Sequence, residues 1–256
     1  MSKEEKKVDG AQAIQRAAAV LRYIAANPRP GPTLRDISEA LRLSRSTAHR
    51  ILQCLVQENL ASQSDDAHNY SIGDLTLELG LAAKPLQNAI LKWRRVVEEV
   101  ATQTGATTYL IGRSGNESVC LDTAAGSSVV RVLPVEVGQR RPLGLGAGAL
   151  AILASLAEEE CEHTIDLIEP YIPLYSSATV TILRDLVKKT RETGFAESWG
   201  HVAEGIFGLG VAIPGSRGST MLALSIAAHQ SIVSSEKILI WKRLLLKAAK
   251  GKLIPS

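Results

Sequence analysis

The apolar positions of this 256-residue chain recur at two spacings, and the switches between them mark its elements. From 11 to 27, Ile14, Ala17, Leu21 and Ile24 fall on one helical stripe, which PRPGP (28–32) ends abruptly. Thr33 with Asp36 three residues on is a near capping box, and Leu34, Ile37, Ala40 and Leu41 predict a short second helix. Only Arg42 and Leu43 separate it from Ser44, the predicted N-cap of a third helix. There Ala48, Ile51, Leu52 and Leu55 recur at i, i+3, i+4 and i+7, up to a left-handed stop at Asn59. Two helices joined by a tight turn are expected, followed by a short hairpin or wing made of LASQ (60–63), the turn SDDAHN (64–69) and YSI (70–72).

Residues 73–84 satisfy both spacings. Leu75, Leu77, Leu79 and Leu81 alternate as a strand would, while Leu75 and Leu79 also stack on a helix, so the pattern leaves this element open. Pro85 marks a boundary, after which Leu86, Ala89, Ile90, Trp93, Val96, Val97 and Val100 predict an amphipathic helix closed by Gly105. A larger second domain begins there. TTYLIGR, a turn at 114–117 and SVCLDT predict a hairpin, and SVVRVLPVEV reads as a further strand. The apolar helix GAGALAILASLA follows, then a charged helix from about Glu158 and another over 180–193 ending in Gly194. FAES, GIFGLGVAIP, the turn GSRG and MLALSIAA lead to a last helix near 234–250. The expected fold class is α+β, an antiparallel sheet flanked by helices behind a small helical N-terminal domain.

Composition narrows this picture. With 45% apolar residues the chain can fill a core, and its longest uncharged apolar run, 147–157, is shorter than the ~18 residues a membrane-spanning helix requires. MSKEEKKVDG lacks the apolar segment of a secretory signal, so residues 1–10 read as a disordered tail and the protein as cytoplasmic, with no membrane partner. Cys54, Cys120 and Cys161 lie far apart with no CxxC, and the histidines are scattered, so neither a metal site nor a cofactor is expected. No G-x-S-x-G occurs, and Asp122 and Asp166 have no evident partner, which argues against an enzyme.

The net charge of +3 matters only through its distribution. Arg42, Arg45 and Arg50 occupy a stretch, 42–57, that holds no acid. A third helix buried along Ala48, Ile51, Leu52 and Leu55 turns Arg45, Ser46, Thr47, His49 and Arg50 outward over its first two turns. Such a surface suits double-stranded DNA, since arginine can grip guanine bidentately, while hydroxyls and helix-end N–H groups take phosphates. The DNA-facing set is then Thr33, Ser44, Arg45, Ser46, Thr47, His49 and Arg50, with Tyr70 on the wing touching the backbone. The bland alternative is a helix pair with a solvated basic face.

Gly144, Gly146 and Ala149 fit G-x-G-x-x-A, the signature of a dinucleotide site. The spacer GQRRP after the preceding strand, and the lack of an acid at a strand end some 20 residues on, speak against that use. Free N–H groups of Gly146, Ala147 and Gly148 at the start of an apolar helix suit a small carboxylate instead. Arg140 and Arg141 are further candidates to draw in an anion, and His201 and Glu204 to rim such a pocket.

The order of these motifs resembles the IclR family of transcriptional regulators over nearly the whole chain. The resemblance is carried by AQAIQRAAAVLRYIA, LRDISEALRLSRSTAHRILQCLVQENL and NYSIGDLTLELG, then by GQRRPLGLGAGALAILASLAEEE and GFAESWGHVAEGIFGLGVAIPGSRGSTMLALSIAA. It implies a winged helix-turn-helix domain over 11–72, a linker helix over 73–84 and a GAF-like effector-binding domain over 85–256, paired as a homodimer or homotetramer on operator DNA. Family positions for effector contacts fall at Gly146, Ala147, Gly148, Ser198, Ile206, Gly208, Ser225 and Ala227. A pattern for small keto acids would place an acid near Ser198, a thiol at Gly208 and a hydroxyl at Ala227; none is present here. The resemblance therefore implies a small organic acid with a larger apolar or aromatic body, in a regulator of its catabolism. The family often has glycine where Arg42 stands. The alternatives are an enzyme with a nucleotide or organic-acid site, and a DNA-binding protein without effector response.

Overall fold

The computed structural model describes residues 11–28, 30–64, 68–127, 135–215 and 221–251. The chain forms two compact units, Met1–Gln87 and Asn88–Ser256.

The first unit holds α1 (Gln12–Ala26), α2 (Leu34–Ala40), α3 (Arg45–Gln57), the antiparallel pair β1 (Ala61–Gln63) and β2 (Tyr70–Ile72), and α4 (Asp74–Ala82). Val20, Ile24, Ile37, Leu52 and Leu55 share one core with Ala61 and Tyr70. The capping box at Thr33 is present: its backbone N–H donates to Asp36 Oδ2 at 2.8 Å, and the Asp36 N–H donates to Thr33 Oγ1 at 3.3 Å. The Thr33 backbone N–H, first, and the Thr33 hydroxyl, which donates to Asp36 Oδ2 at 2.7 Å, hold the Asp36 carboxyl below its usual range. Arg42 and Asn59 both take left-handed backbone, φ 51° and 56°. Each is followed by a leucine whose N–H bonds five residues back, Leu43 to Ser38 O at 2.9 Å and Leu60 to Leu55 O at 2.8 Å. The turns after α2 and α3 thus close by one geometry, a left-handed one that glycine adopts without a Cβ penalty. Residues 74–82 resolve as helix, although no residue of α4 is buried and Leu77, Leu79 and Leu81 are exposed.

The second unit takes all but the first four residues of α5 (Lys84–Thr104) and continues through β3 (Thr107–Ser114), β4 (Glu117–Ala124), β5 (Arg140–Pro142), α6 (Ala147–Ala154), α7 (Glu158–Ile168), α8 (Ile172–Tyr175), α9 (Val180–Thr193), β6 (Ala196–Trp199), β7 (Ile206–Ile213), β8 (Leu222–His229) and α10 (Ser235–Ala249). One antiparallel sheet in the order β5-β4-β3-β8-β7-β6 forms its centre. Alternate residues of each strand feed two cores. Phe207, Leu209, Leu224 and Ile226 meet Trp93, Val97, Trp241 and Leu245 of α5 and α10, whereas Tyr109, Ile111, Ala223 and Ala227 face the apolar helix α6 with α7 and α9 behind it. The fold is α+β with helices on both sheet faces.

Two expectations change. The short strand β5 forms from RRP, read above as a spacer, because the edge of β4 offers Ser118 and Val119 as pairing partners. SVVRVLPVEV lies mostly outside the described residues, and 135–137 of it are not strand. The segment 169–175, with Pro170 and Pro173 early in its short turns, adds a 3-10 turn and α8, which the apolar spacing did not signal. The tail 1–10 lies outside the described residues, as does most of the turn GSRG.

Candidate functional site

The N-terminal candidate is built on α3. Ser44 caps it, accepting from the Thr47 N–H at 3.2 Å, and its hydroxyl also lies 2.8 Å from Thr47 Oγ1 and 3.1 Å from Ser46 Oγ. The hydroxyls of Thr33 and Ser44 are thus engaged in starting α2 and α3, and their local work is to position those helices. Arg45, Ser46, His49 and Arg50 are exposed, and Thr47 is half-buried. The face divides in two. Arg45, His49 and Gln53, one helical row at i, i+4 and i+8, border a recess shared with Thr33, Arg35, His68 and Tyr70. Thr47, Arg50 and Cys54 border a groove with Arg16 of α1. Gln53 and Arg16 were not singled out from sequence; continuing the row Arg45–His49 by four residues finds Gln53.

Tyr70 requires a correction. It is 4% exposed and packs in the core with Leu52 and Ile24, and that burial raises its phenol pKa. On a two-residue period it is the inward position of β2, whose neighbours Ser71 and Ile72 face out. It anchors the hairpin from the inside, and of its side chain only an edge borders the recess beside Arg45 and His49.

The C-terminal candidate is a cavity of about 670 Å³, open mouth included, between α6 and the sheet. All eight positions expected for an effector line it: Gly146, Ala147, Gly148, Ser198, Ile206, Gly208, Ser225 and Ala227. Strand register explains the convergence. Ser198 pairs with Gly208 and Gly208 with Ala227, so one row crosses β6, β7 and β8; a second row runs Gly210, Ser225, Tyr109. A Cβ on Gly210 would come 2.4 Å from the Ala147 carbonyl oxygen, so the glycines of β7 let the start of α6 lie directly on the sheet.

All eight residues of α6 are buried, as expected of a helix apolar on every side. Its N-cap, Gly146 at φ 93°, has no side chain to accept a hydrogen bond, and the first N–H to reach a helical carbonyl is that of Leu150, to Gly146 O at 2.8 Å. The leading N–H groups of Ala147, Gly148 and Ala149 therefore stand at the positive end of the helix on the cavity wall. Ile111, Leu145, Val202 and Ile226 make the wall largely apolar. Tyr109 and Cys120 also border it; burial, first, raises both, the Cys120 thiol to about 12, so each is a neutral donor near pH 7. The two arginines separate. Arg140 is held by Glu117 at 2.8 Å, while Arg141 lines the cavity. Of the expected rim pair, His201 borders a smaller adjoining cavity shared at Gly146, Ser198 and Val202, and Glu204 is exposed. No group of three metal-ligating side chains occurs among the described residues, and no described helix is long and apolar enough to cross a membrane.

Comparison with known proteins places these two sites in a context. Residues 13–65 match the family model described as the IclR helix-turn-helix domain, and residues 86–251 that of the bacterial transcriptional regulator IclR C-terminal domain. The chain is 26% identical over 243 residues to the HTH-type transcriptional repressor AllR of Escherichia coli K12, covering 94% of this chain and 89% of that protein. A crystal structure of an IclR transcriptional regulator from Alicyclobacillus acidocaldarius superposes with a TM-score of 0.76 at 25% identity, over 94% of this chain and 96% of the other. An IclR homolog from Microbacterium hydrocarbonoxydans, solved in complex with 4-hydroxybenzoate, has the same fold, with a TM-score of 0.70 at 22% identity over 94% of this chain and 98% of the other.

Proposed function

The chain belongs to the IclR family of DNA-binding transcriptional regulators, and from that premise we propose which of its residues read DNA and what its cavity binds. Residues 11–72 are the DNA-reading part, 73–84 the linker and 85–256 the effector-binding part. Arg45, Ser46, His49 and Arg50 of α3 contact operator DNA in the major groove, with Thr47 behind them, and Thr33 and Ser44 present the helix starts to phosphates. Gly146, Ala147, Gly148, Ser198, Ile206, Gly208, Ser225 and Ala227 hold a small organic acid with an apolar body. The Microbacterium homolog's 4-hydroxybenzoate is an acid of that class. The regulated genes then serve catabolism of such a compound.

One observation carries this reading: eight positions drawn from four separate segments converge on a single cavity that has a helix N-terminus in an otherwise largely apolar wall. The exposed Leu77, Leu79 and Leu81 of α4 support pairing with a second copy, as a homodimer or homotetramer. Ligand binding favours one arrangement of that assembly, and it shifts DNA affinity only by as much as the ligand distinguishes the two arrangements. The protein acts in the cytoplasm, where its operator is, and performs no catalytic step.

The test is fluorescence anisotropy of the full-length protein on its own upstream intergenic DNA, across salt concentrations, with and without aromatic and keto acids. Sequence-specific binding that one acid shifts is the expected result. Binding with no preference for that DNA over a scrambled fragment would refute the assignment of α3.

A further inference from the structure

Beside the main cavity lies a second hollow of about 250 Å³, open mouth included, bordered by the start of α6, by α9 and by β6. The two share Leu145, Gly146, Ser198 and Val202 as wall residues. A Cβ on Gly146 would find no atom within 4 Å, so the shared wall gives on to empty space there. Beyond those four, the hollow is lined chiefly by Leu150 of α6, Leu183 and Leu186 of α9, and Ala178 just before α9.

The structure around it is tied in place. The Ser176 hydroxyl donates to the His201 carbonyl at 2.9 Å and accepts from the Ala178 N–H at 3.0 Å. The same carbonyl takes the Ser177 N–H at 2.9 Å and the Ser177 hydroxyl at 3.3 Å, which fixes the turn that carries Val202. Among the described residues, no aspartate, glutamate, lysine or arginine lines the hollow. A close-packed interior keeps few such voids, because the lining atoms lose their contacts on the empty side. A void of this kind next to a chamber for an apolar ligand regains those contacts once the ligand reaches into it.

Resting on the effector reading above, we propose that the hollow is a branch of the effector site: it takes a substituent of one or two carbons on the acid's apolar body, and Ala178 and Leu186 set the length it accepts. Neither residue borders the main cavity, so choice of the branch is separable from binding of the parent acid.

The experiment is titration calorimetry of the full-length protein with benzoate and its 3- and 4-substituted methyl, ethyl and butyl derivatives. At one ring position the methyl and ethyl compounds are expected to bind more tightly than benzoate, by about fourfold per carbon, and the butyl compound to lose that gain. Ala178→Val narrows the hollow: benzoate binds as it does to wild type, and the ethyl gain disappears. Leu186→Ala enlarges it, and the gain extends to the butyl compound. This second variant carries the test should Ala178→Val unfold the domain, which its melting curve shows. A steady rise through butyl in wild type, or an ethyl gain that survives Ala178→Val, would overturn the proposal. If the acids bind without regard to length, the effector reading stands and only the branch falls. If none of them binds, the effector reading falls and takes the branch with it.

Discussion

Gly148 and Ser225 meet at the first turn of α6: a Cβ on Gly148 would stand 2.9 Å from Ser225 Oγ and 2.6 Å from Ile111 Cγ1. An alanine would favour the helix by under ~1 kcal/mol, but it would push a buried helix off a buried strand, and overpacking of that kind costs more. Gly148→Ala should destabilise the second unit by about 1–3 kcal/mol in urea unfolding and abolish any acid-induced thermal shift. Unchanged stability together with unchanged acid binding would mean that α6 does not need its present seat on the sheet.

The left-handed Arg42 leads to the opposite expectation. A residue with a Cβ pays roughly 1–2 kcal/mol to sit at such an angle, and glycine gives part of this back as unfolded-state entropy. Arg42→Gly should therefore raise the stability of the N-terminal unit by about 0.5–1 kcal/mol in chemical denaturation. A loss of stability would indicate that the arginine side chain, and not the turn, carries the larger contribution.

At Ser44, cap and charge can be separated. Ser44→Ala removes the acceptor for the Thr47 N–H and should cost about 1 kcal/mol. Ser44→Asp restores an acceptor and favours the start of α3, yet brings a negative charge to the surface assigned to DNA phosphates. The aspartate variant should unfold like wild type while binding operator more weakly, with the deficit largest at low salt. Equal operator affinities for wild type and the aspartate variant would exclude the start of α3 from the interface.

The thiols should react in a fixed order. Cys54 is exposed, while burial raises Cys120 to about 12 and Cys161 to about 11 from 9.0. At pH 8 the Cys120 thiolate fraction is on the order of 1 in 10⁴, so one thiol per native chain should react with a disulfide reagent, and three after unfolding. The unfolded chain releases these two protons near pH 9 and the folded one only near 11 to 12. Stability from this source is complete below pH 9 and declines as pH rises toward 12, which urea midpoints at pH 8 and 10.5 would reveal.

Much of the N-terminal unit was legible because its signals are local: Thr33, Ser44 and Asn59 act within five residues of themselves. Tyr70 was misplaced because a three-residue strand shows too little alternation to tell its inward position from its outward ones. The sheet residues behave differently. Ser198, Gly208 and Ala227 lie in one row only through pairing across three strands, a long-range relation that spacing cannot show and that family resemblance supplied. Arg140 and Arg141 looked alike in the sequence; they part only because a sheet edge, itself unpredicted, turns the dipeptide into a strand.

That cross-strand row has an implication for how such a receptor changes over generations. Each of its three positions belongs to a different strand, and each presents one small side chain, or none, to the hollow, while the larger side chains of β7 and β8 pack on the opposite face. A substitution there alters the outline offered to a visiting molecule and leaves the neighbouring register intact. Appetite for a new compound can then be acquired in single steps, by a lineage that keeps the same scaffold throughout.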